Sequence, residues 1–130
     1  MRFAFLALAA ATAALAAAPS QAANAPGGQK SCFRMSQVEG HRIVRPDTIY
    51  LRVKSHDVYR LATKGACAAG TMPDDTLITS TVAGIDIVCQ PLDLDLKVRR
   101  GHGMASPCLI DSITKLTPAE IAALPKKDRP

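Results

Sequence analysis

The sequence predicts a mostly β fold, either a small antiparallel barrel or a two-layer sandwich of six to seven short strands with one short C-terminal helix and two disulfides. Three observations support this prediction. One stretch alternates apolar and polar residues with a period of two, short β-branched segments are separated by turn residues, and the chain contains four cysteines. Short strands separated by frequent turns are typical of small barrels and sandwiches.

The strongest strand pattern lies between residues 92 and 99. Its apolar side chains, which alternate with charged ones, are Leu92, Leu94, Leu96 and Val98. Such a strand has one dry face, so we expect all four side chains to point into the core. Two alternating segments on either side of residues 55–57 predict a hairpin over residues 48–63. The other predicted strands are residues 32–38, 76–82, 85–89 and 108–116, and residues 41–47 are predicted to be a connection.

One helix is predicted near the end of the chain. Thr117 is a good N-cap residue, Pro118 suits the first helical position, and Glu120 completes a capping box. Leu116 and Ile121 have the spacing of a hydrophobic staple. Because proline disrupts a helix, we expect this one to stop at Pro125, with residues 126–130 as a flexible tail.

The N-terminal residues have the pattern of a secretory signal peptide. One arginine precedes an apolar run over residues 3–18, and the small residues Ser20 and Ala22 fit a cleavage site after Ala22. A lipoprotein signal would need a cysteine directly after a small apolar box, whereas Cys32 lies well beyond the run. We therefore expect residues 1–22 to be a signal peptide, 23–30 a flexible leader and 31–125 a single disulfide-stabilised β domain. We expect no transmembrane segment in the mature chain.

The four cysteines all lie in the part that we expect to be exported. An even count in an oxidising compartment indicates two disulfides, for which the sequence allows three pairings. We expect Cys67–Cys89 and Cys32–Cys108, because the second bridge would tie the first core strand to the last. No Cys-x-x-Cys pair is present, which argues against a zinc ribbon or a redox motif.

The net charge of +5 is unevenly distributed. Residues 65–96 contain five aspartates and no lysine or arginine, whereas the segments on both sides are mainly basic. This pattern favours a molecule with mixed faces over a uniform cationic binder. Nucleic-acid surfaces combine basic clusters with stacking aromatic residues, and the chain has no tryptophan. We therefore expect no nucleic-acid partner and keep an envelope protein or an anionic envelope polymer as possible partners.

Few residues could carry chemistry. His102 lies in a glycine-rich loop beside Met104, a pair that could bind copper. Asp93 and Asp95 are expected on one strand face near Asp86, where carboxylates could hold calcium or serve a small hydrolase. The ordinary explanations are an exposed loop histidine and cross-strand ion pairs. We therefore predict no catalytic, cofactor-binding or metal residues, and no cofactor.

The sequence resembles a family of small exported proteins of Gram-negative bacteria that is known only as a domain of unknown function. The resemblance extends from Cys32 to Pro125. It rests on short pieces in a fixed order: Cys32-Phe33, Leu51-Arg52-Val53, Asp57 to Leu61, Gly65-Ala66-Cys67, Cys89 with Leu92-Asp93, and Cys108 followed by Ile113 and Leu116 to Glu120. Gln90-Pro91 and Ala68 depart from the pattern in loops. The resemblance implies the fold and the cysteines, and it implies no active site.

These observations predict a non-catalytic periplasmic or secreted domain that binds or supports an envelope partner. The alternative is a small metal-binding protein or hydrolase that uses His102 or the group formed by Asp86, Asp93 and Asp95. An exposed edge strand that pairs with a partner is a third possibility.

Overall fold

The computed structural model describes residues 32–130, which form a mostly β, sandwich-like fold. Within these residues nine strands lie in three antiparallel sheets that do not close into a barrel. The elements are β1 Phe33–Arg34, β2 Val38–Val44, β3 Thr48–Val53, β4 Asp57–Thr63, β5 Thr76–Thr81, β6 Ile87–Val88, β7 Leu94–Arg99, β8 Ala105–Cys108, β9 Ile110–Lys115 and α1 Pro118–Ala123. The predicted fold class is confirmed. The expected signal peptide and leader, residues 1–22 and 23–30, lie outside the described residues.

The larger sheet has the strand order β2-β3-β4-β9. Its centre is the predicted hairpin, in which Thr48 is opposite Ala62 and Val53 is opposite Asp57. The turn places Lys54 and Ser55 at φ values of 51° and 64°, a region that L-residues rarely adopt. The Glu39 carboxylate accepts the backbone N–H of Ser55 at 2.9 Å and so helps to hold this turn.

The other two sheets are β5-β7-β8 and the short pair β1-β6. Strand β7 is central in its sheet, with β5 on one side and β8 on the other. Its residues Leu94, Leu96 and Val98 are buried, whereas Asp95 and Arg99, on the opposite face of the strand, are exposed. The period-two pattern therefore predicted the faces of β7 correctly from Leu94 onward.

The main core lies between the sheets, and within residues 32–130 no charged side chain is buried in it. Every sheet contributes to it, through residues such as Phe33, Leu51, Leu61, Val88 and Leu96. Phe33 and Tyr59 pack with their ring centroids 4.6 Å apart. Burial of this apolar surface is the principal favourable contribution to folding.

A second apolar cluster lies on the opposite face of the larger sheet, beneath α1. Tyr50, Val58 and Leu116 are buried there, and Ile121 and Leu124 pack against them. The capping box is confirmed: Thr117 accepts the N–H of Glu120, whose carboxylate accepts the N–H of Thr117. No helix within residues 32–130 is long and apolar enough to cross a membrane.

Three local predictions need correction. Residues 41–44 belong to β2 instead of a connection, because only Arg45 to Asp47 form the turn. Residues 35–37 form a 3₁₀ turn, so the predicted first strand is only Phe33–Arg34. Part of the predicted loop before Cys108 is strand β8.

Leu92 and Asp93 also differ from expectation, because they lie in a 3₁₀ turn, Pro91–Asp93, before β7 begins. Leu92 is 81 % exposed instead of pointing inward. The Asp93 carboxylate accepts the backbone N–H groups of Cys89 and Gln90, which stabilises the turn against an earlier start of the strand.

Residues 126–130 were expected to be a flexible tail, yet they contain a 3₁₀ turn, Lys126–Asp128. Arg129 donates to the carbonyls of Ala122 and Leu124 at 2.7 and 3.1 Å. Arg52 donates to the Pro130 carbonyl oxygen at 3.0 Å. The tail is therefore held against α1 and the larger sheet.

The expected disulfide pairing, Cys67–Cys89 and Cys32–Cys108, is wrong. The bridges are Cys32–Cys89 and Cys67–Cys108. Phe33 is paired with Val88 in the β1-β6 ladder, which places the next residues outward, Cys32 and Cys89, opposite each other. The Cys67 loop begins at Lys64, which donates its N–H to the carbonyl of Leu109, the neighbour of Cys108. Strand adjacency thus determines both bridges.

Candidate binding site

The three aspartates of the alternative hypothesis are not brought together. Asp86 accepts hydrogen bonds from the hydroxyl and N–H of Ser36 at 2.6 and 2.9 Å, and these bonds lower the pKa of its carboxyl. The N–H groups of Cys89 and Gln90 similarly lower the pKa of Asp93. Asp95 lies 3.3 Å from the Lys97 ammonium. Within residues 32–130, no group of three or more histidine, cysteine or acidic side chains is placed to hold a metal ion.

His102 lies in an open cavity of about 570 Å³ at the end of β7. Arg99, Thr76 and Met104 line the same cavity, and Met104 is 93 % exposed. The guanidinium of Arg99 disfavours a bound cation at this position, because like charges repel. The structure therefore brings His102 and Met104 to one cavity, and among residues 32–130 no acidic side chain lines it.

A second cavity, of about 500 Å³, is a groove between α1 and the turn end of the β3-β4 hairpin. We call it the helix groove. Its apolar lining is Leu116, Pro118, Ile121 and Ala122, and its polar lining is His56, Asp57, Lys115 and Arg129. Pockets with mostly apolar walls and a few placed polar groups are the usual form of a small-ligand site.

An ion pair forms the polar wall of the helix groove. The Lys115 ammonium lies 2.8 Å from the Asp57 carboxylate, and this hydrogen bond raises the pKa of Lys115 above its ordinary value. The ammonium also lies 5.9 Å from the centroid of the Tyr59 ring, within reach of a cation–π contact. His56 adds an imidazole 3.9 Å from the Asp57 carboxylate.

Arg129 supplies the remaining charge of the helix groove. Its guanidinium donates to two helix carbonyls, which position it at the rim and stabilise the C-terminal end of α1. Within the described part of the chain, no carboxylate forms an ion pair with it. Since Lys115 and Asp57 neutralise each other, the groove carries an excess positive charge.

Beside its apolar side chains, the lining of the helix groove includes an acid, a histidine and a lysine. An apolar floor with a cationic rim can accept a molecule that combines a hydrocarbon part with an anionic group.

A protein-family comparison places all of residues 1–130 in a family described as a family of unknown function (DUF6491). The chain belongs to the DUF6491 family. The resemblance to a family of unknown function is therefore confirmed, and the four cysteines that carried it form two disulfides. Comparison with curated proteins and with solved structures finds no match.

The helix groove of this family member was missed by sequence reasoning. Its lining comes from four separate parts of the chain: residues 56–57, residues 115, 116 and 118, residues 121–122, and residue 129. The capping box located the helix, and the Leu116–Ile121 spacing indicated that the helix packs against the preceding strand. Neither signal showed that the hairpin end, with His56 and Asp57, would lie beside it.

Proposed function

We propose that this protein is a non-catalytic, exported binding domain that acts on an anionic component of the cell envelope. Two disulfides favour an oxidising compartment, because such bridges persist mainly in exported proteins. The signal-like pattern of residues 1–22 supports the same location. The site of binding in this proposal is the helix groove.

The observation that carries the proposal is the charge of the helix groove above its apolar floor. Leu116 and Ile121 offer hydrocarbon contact, while Arg129 has no carboxylate partner among residues 32–130. A ligand with an alkyl or aromatic part and a carboxylate or phosphate group would satisfy both features. The apolar part would leave water, and the anion would neutralise the rim.

The proposal is tested with three amphiphiles of the same chain length below their micelle concentrations. They are dodecanoate, the neutral dodecyl maltoside and the cationic dodecyltrimethylammonium. We expect dodecanoate to raise the unfolding temperature and to shift the NMR signals of Leu116, Ile121 and Ala122. We expect the cationic amphiphile to produce neither effect.

A matched pair of variants tests the location. Ala122 and Ala123 are both exposed in the last turn of α1, but only Ala122 lines the helix groove. Ala122→Glu adds a repelling carboxylate to the groove and should abolish dodecanoate binding. Ala123→Glu has the same helix propensity and charge and should leave binding intact.

Equal responses to all three amphiphiles, or equal loss in both variants, would contradict a groove selective for anions. Export is tested separately by fractionating cells that express the full chain. Recovery of the protein only from the cytoplasm, with an intact N-terminus, would refute the exported location.

A further inference from the structure

Strand β5 is the edge of the β5-β7-β8 sheet and lies in a different sheet from the one that carries the helix groove. It pairs with β7 along its whole length, from Thr76 opposite Arg99 to Thr81 opposite Leu94, with no bulge. Within residues 32–130, its backbone forms no hydrogen bonds to any other strand. Alternate N–H and C=O groups of a strand point to opposite sides, so β5 presents a row of unpaired groups.

The other edges of the two larger sheets each have a feature that discourages pairing with another chain. Strand β2 has a bulge near Gly40, and its Ile43 N–H is bonded to the carbonyl of Pro73. Strand β8 has four residues and contains Pro107. Strand β9 carries the charges of Asp111 and Lys115. Bulges, prolines, short length and charges are the usual means of protecting an edge.

Strand β5 has none of these protections. Its sequence, Thr-Leu-Ile-Thr-Ser-Thr, is six residues long and contains no charge, proline or glycine. Threonine and isoleucine have high β propensity. Leu77 packs against the main core, and the pairing of β5 with β7 contains no bulge. An edge of this kind is suited to addition of a further strand.

We propose that β5 pairs in antiparallel fashion with β5 of a second copy of this chain. Such a dimer has two-fold symmetry and joins the two β5-β7-β8 sheets into one continuous sheet. In such a pair the residues at the middle of each β5 lie near their own copies across the two-fold axis, so a charge there would repel the same charge in the second copy. Strand β5 is uncharged and meets this electrostatic requirement.

The ends of β5 support a second copy as its partner. Exposed methionines, Met72 and Met104, lie near its N-terminal end, where Met104 and Thr76 line the same cavity. Exposed Val82 and Ile85 follow its C-terminal end. Antiparallel pairing brings the methionine end of each copy to the Val82 and Ile85 end of the other. Apolar groups at both ends of the interface thereby leave water together.

The test is sedimentation velocity over a range of concentrations, with protein produced from the full-length chain and both disulfides formed. Ile78→Lys places a charge at the middle of β5, close to the same charge in the second copy. Ile87→Lys is the matched control, because it makes the same change in the partly exposed strand β6. We expect the wild-type protein and Ile87→Lys to dimerise, and Ile78→Lys to raise the dissociation constant about two- to fivefold.

Circular dichroism of each variant checks that it is folded. If Ile78→Lys does not fold, Ile78→Glu provides the same test, since its carboxylate faces Lys97 across the β5-β7 pair and still brings like charges together at the middle of the proposed interface. A wild-type protein that stays monomeric at every concentration would overturn the proposal. The edge of β5 would then be available only to a strand of a different protein. A dimer unaffected by the β5 variants would overturn it as well.

Discussion

Removing the Cys32–Cys89 bridge should cost a large part of the stability of this domain. The two cysteines are 57 residues apart in the sequence. Cross-linking residues at that separation removes about 14 cal/mol/K of entropy from the unfolded chain, which corresponds to about 4 kcal/mol at room temperature. Small domains have a total stability of about 5–15 kcal/mol, so the double variant Cys32→Ala/Cys89→Ala should lose about a quarter to four-fifths of it.

The loss is measured by urea unfolding of the oxidised proteins. The chain has no tryptophan, and its two tyrosines, Tyr50 and Tyr59, are buried, so tyrosine fluorescence and circular dichroism report unfolding. The matched control removes Cys67–Cys108, whose separation of 41 residues gives a similar loss of about 4 kcal/mol. A loss below about 1 kcal/mol for either variant would contradict the loop-entropy argument.

The pairing itself is tested by tryptic digestion without reduction. Residues 65–96 contain no lysine or arginine, so Cys67 and Cys89 stay on one peptide, residues 65–97. The bridges of the structure join this peptide to both 31–34 and 101–115. Further cleavage before the aspartates at 74, 75 and 86 should then leave Cys32 with Cys89. Recovery of peptide 31–34 linked only to peptide 101–115, with peptide 65–97 separate from both, would refute the structural pairing.

Two further predictions concern acid stability and the core. The folded-state pKa values of Asp75, Asp86 and Asp93 are below their ordinary values, chiefly because N–H groups or the Ser36 hydroxyl bond to the carboxylates. The stabilisation from these three ionised carboxylates is therefore present above a pH of about 4 and is lost as the pH falls through their folded-state pKa values. The unfolding temperature should decrease over that pH range, and it should decrease less in the Asp86→Asn variant. Leu96→Ala should cost about 2–5 kcal/mol in urea unfolding because Leu96 is 1 % exposed, whereas Leu92→Ala should change stability by less than about 0.5 kcal/mol. A pH-independent unfolding temperature, or equal losses in the two leucine variants, would contradict these predictions.

Elements that depend on neighbouring residues were predictable from the sequence. The hairpin over residues 48–63 follows from alternation on both sides of a short turn. The start of α1 follows from Thr117, Pro118 and Glu120, since a capping box uses only contacts within one turn. The strand beginning at Leu94 follows from its period of two. In each case the controlling interactions lie within a few residues of one another.

The prediction for Leu92 shows the limit of a periodic pattern. Its spacing from Leu94 fits the strand, but the Asp93 carboxylate forms a turn with the N–H groups of Cys89 and Gln90. A side chain that bonds nearby backbone groups competes with strand pairing. The same competition separates Asp93 from the face that carries Asp95, so the expected aspartate group does not form.

The sequence by itself determined the fold class, the cysteine content and the uneven distribution of charge. The tertiary structure alone decided the disulfide partners, the helix groove and the exposed edge of β5. All three depend on which distant segments become neighbours, as when β1 pairs with β6 and brings Cys32 to Cys89. Local propensity and periodicity specify how a segment folds, whereas its partner is selected by packing of the whole core.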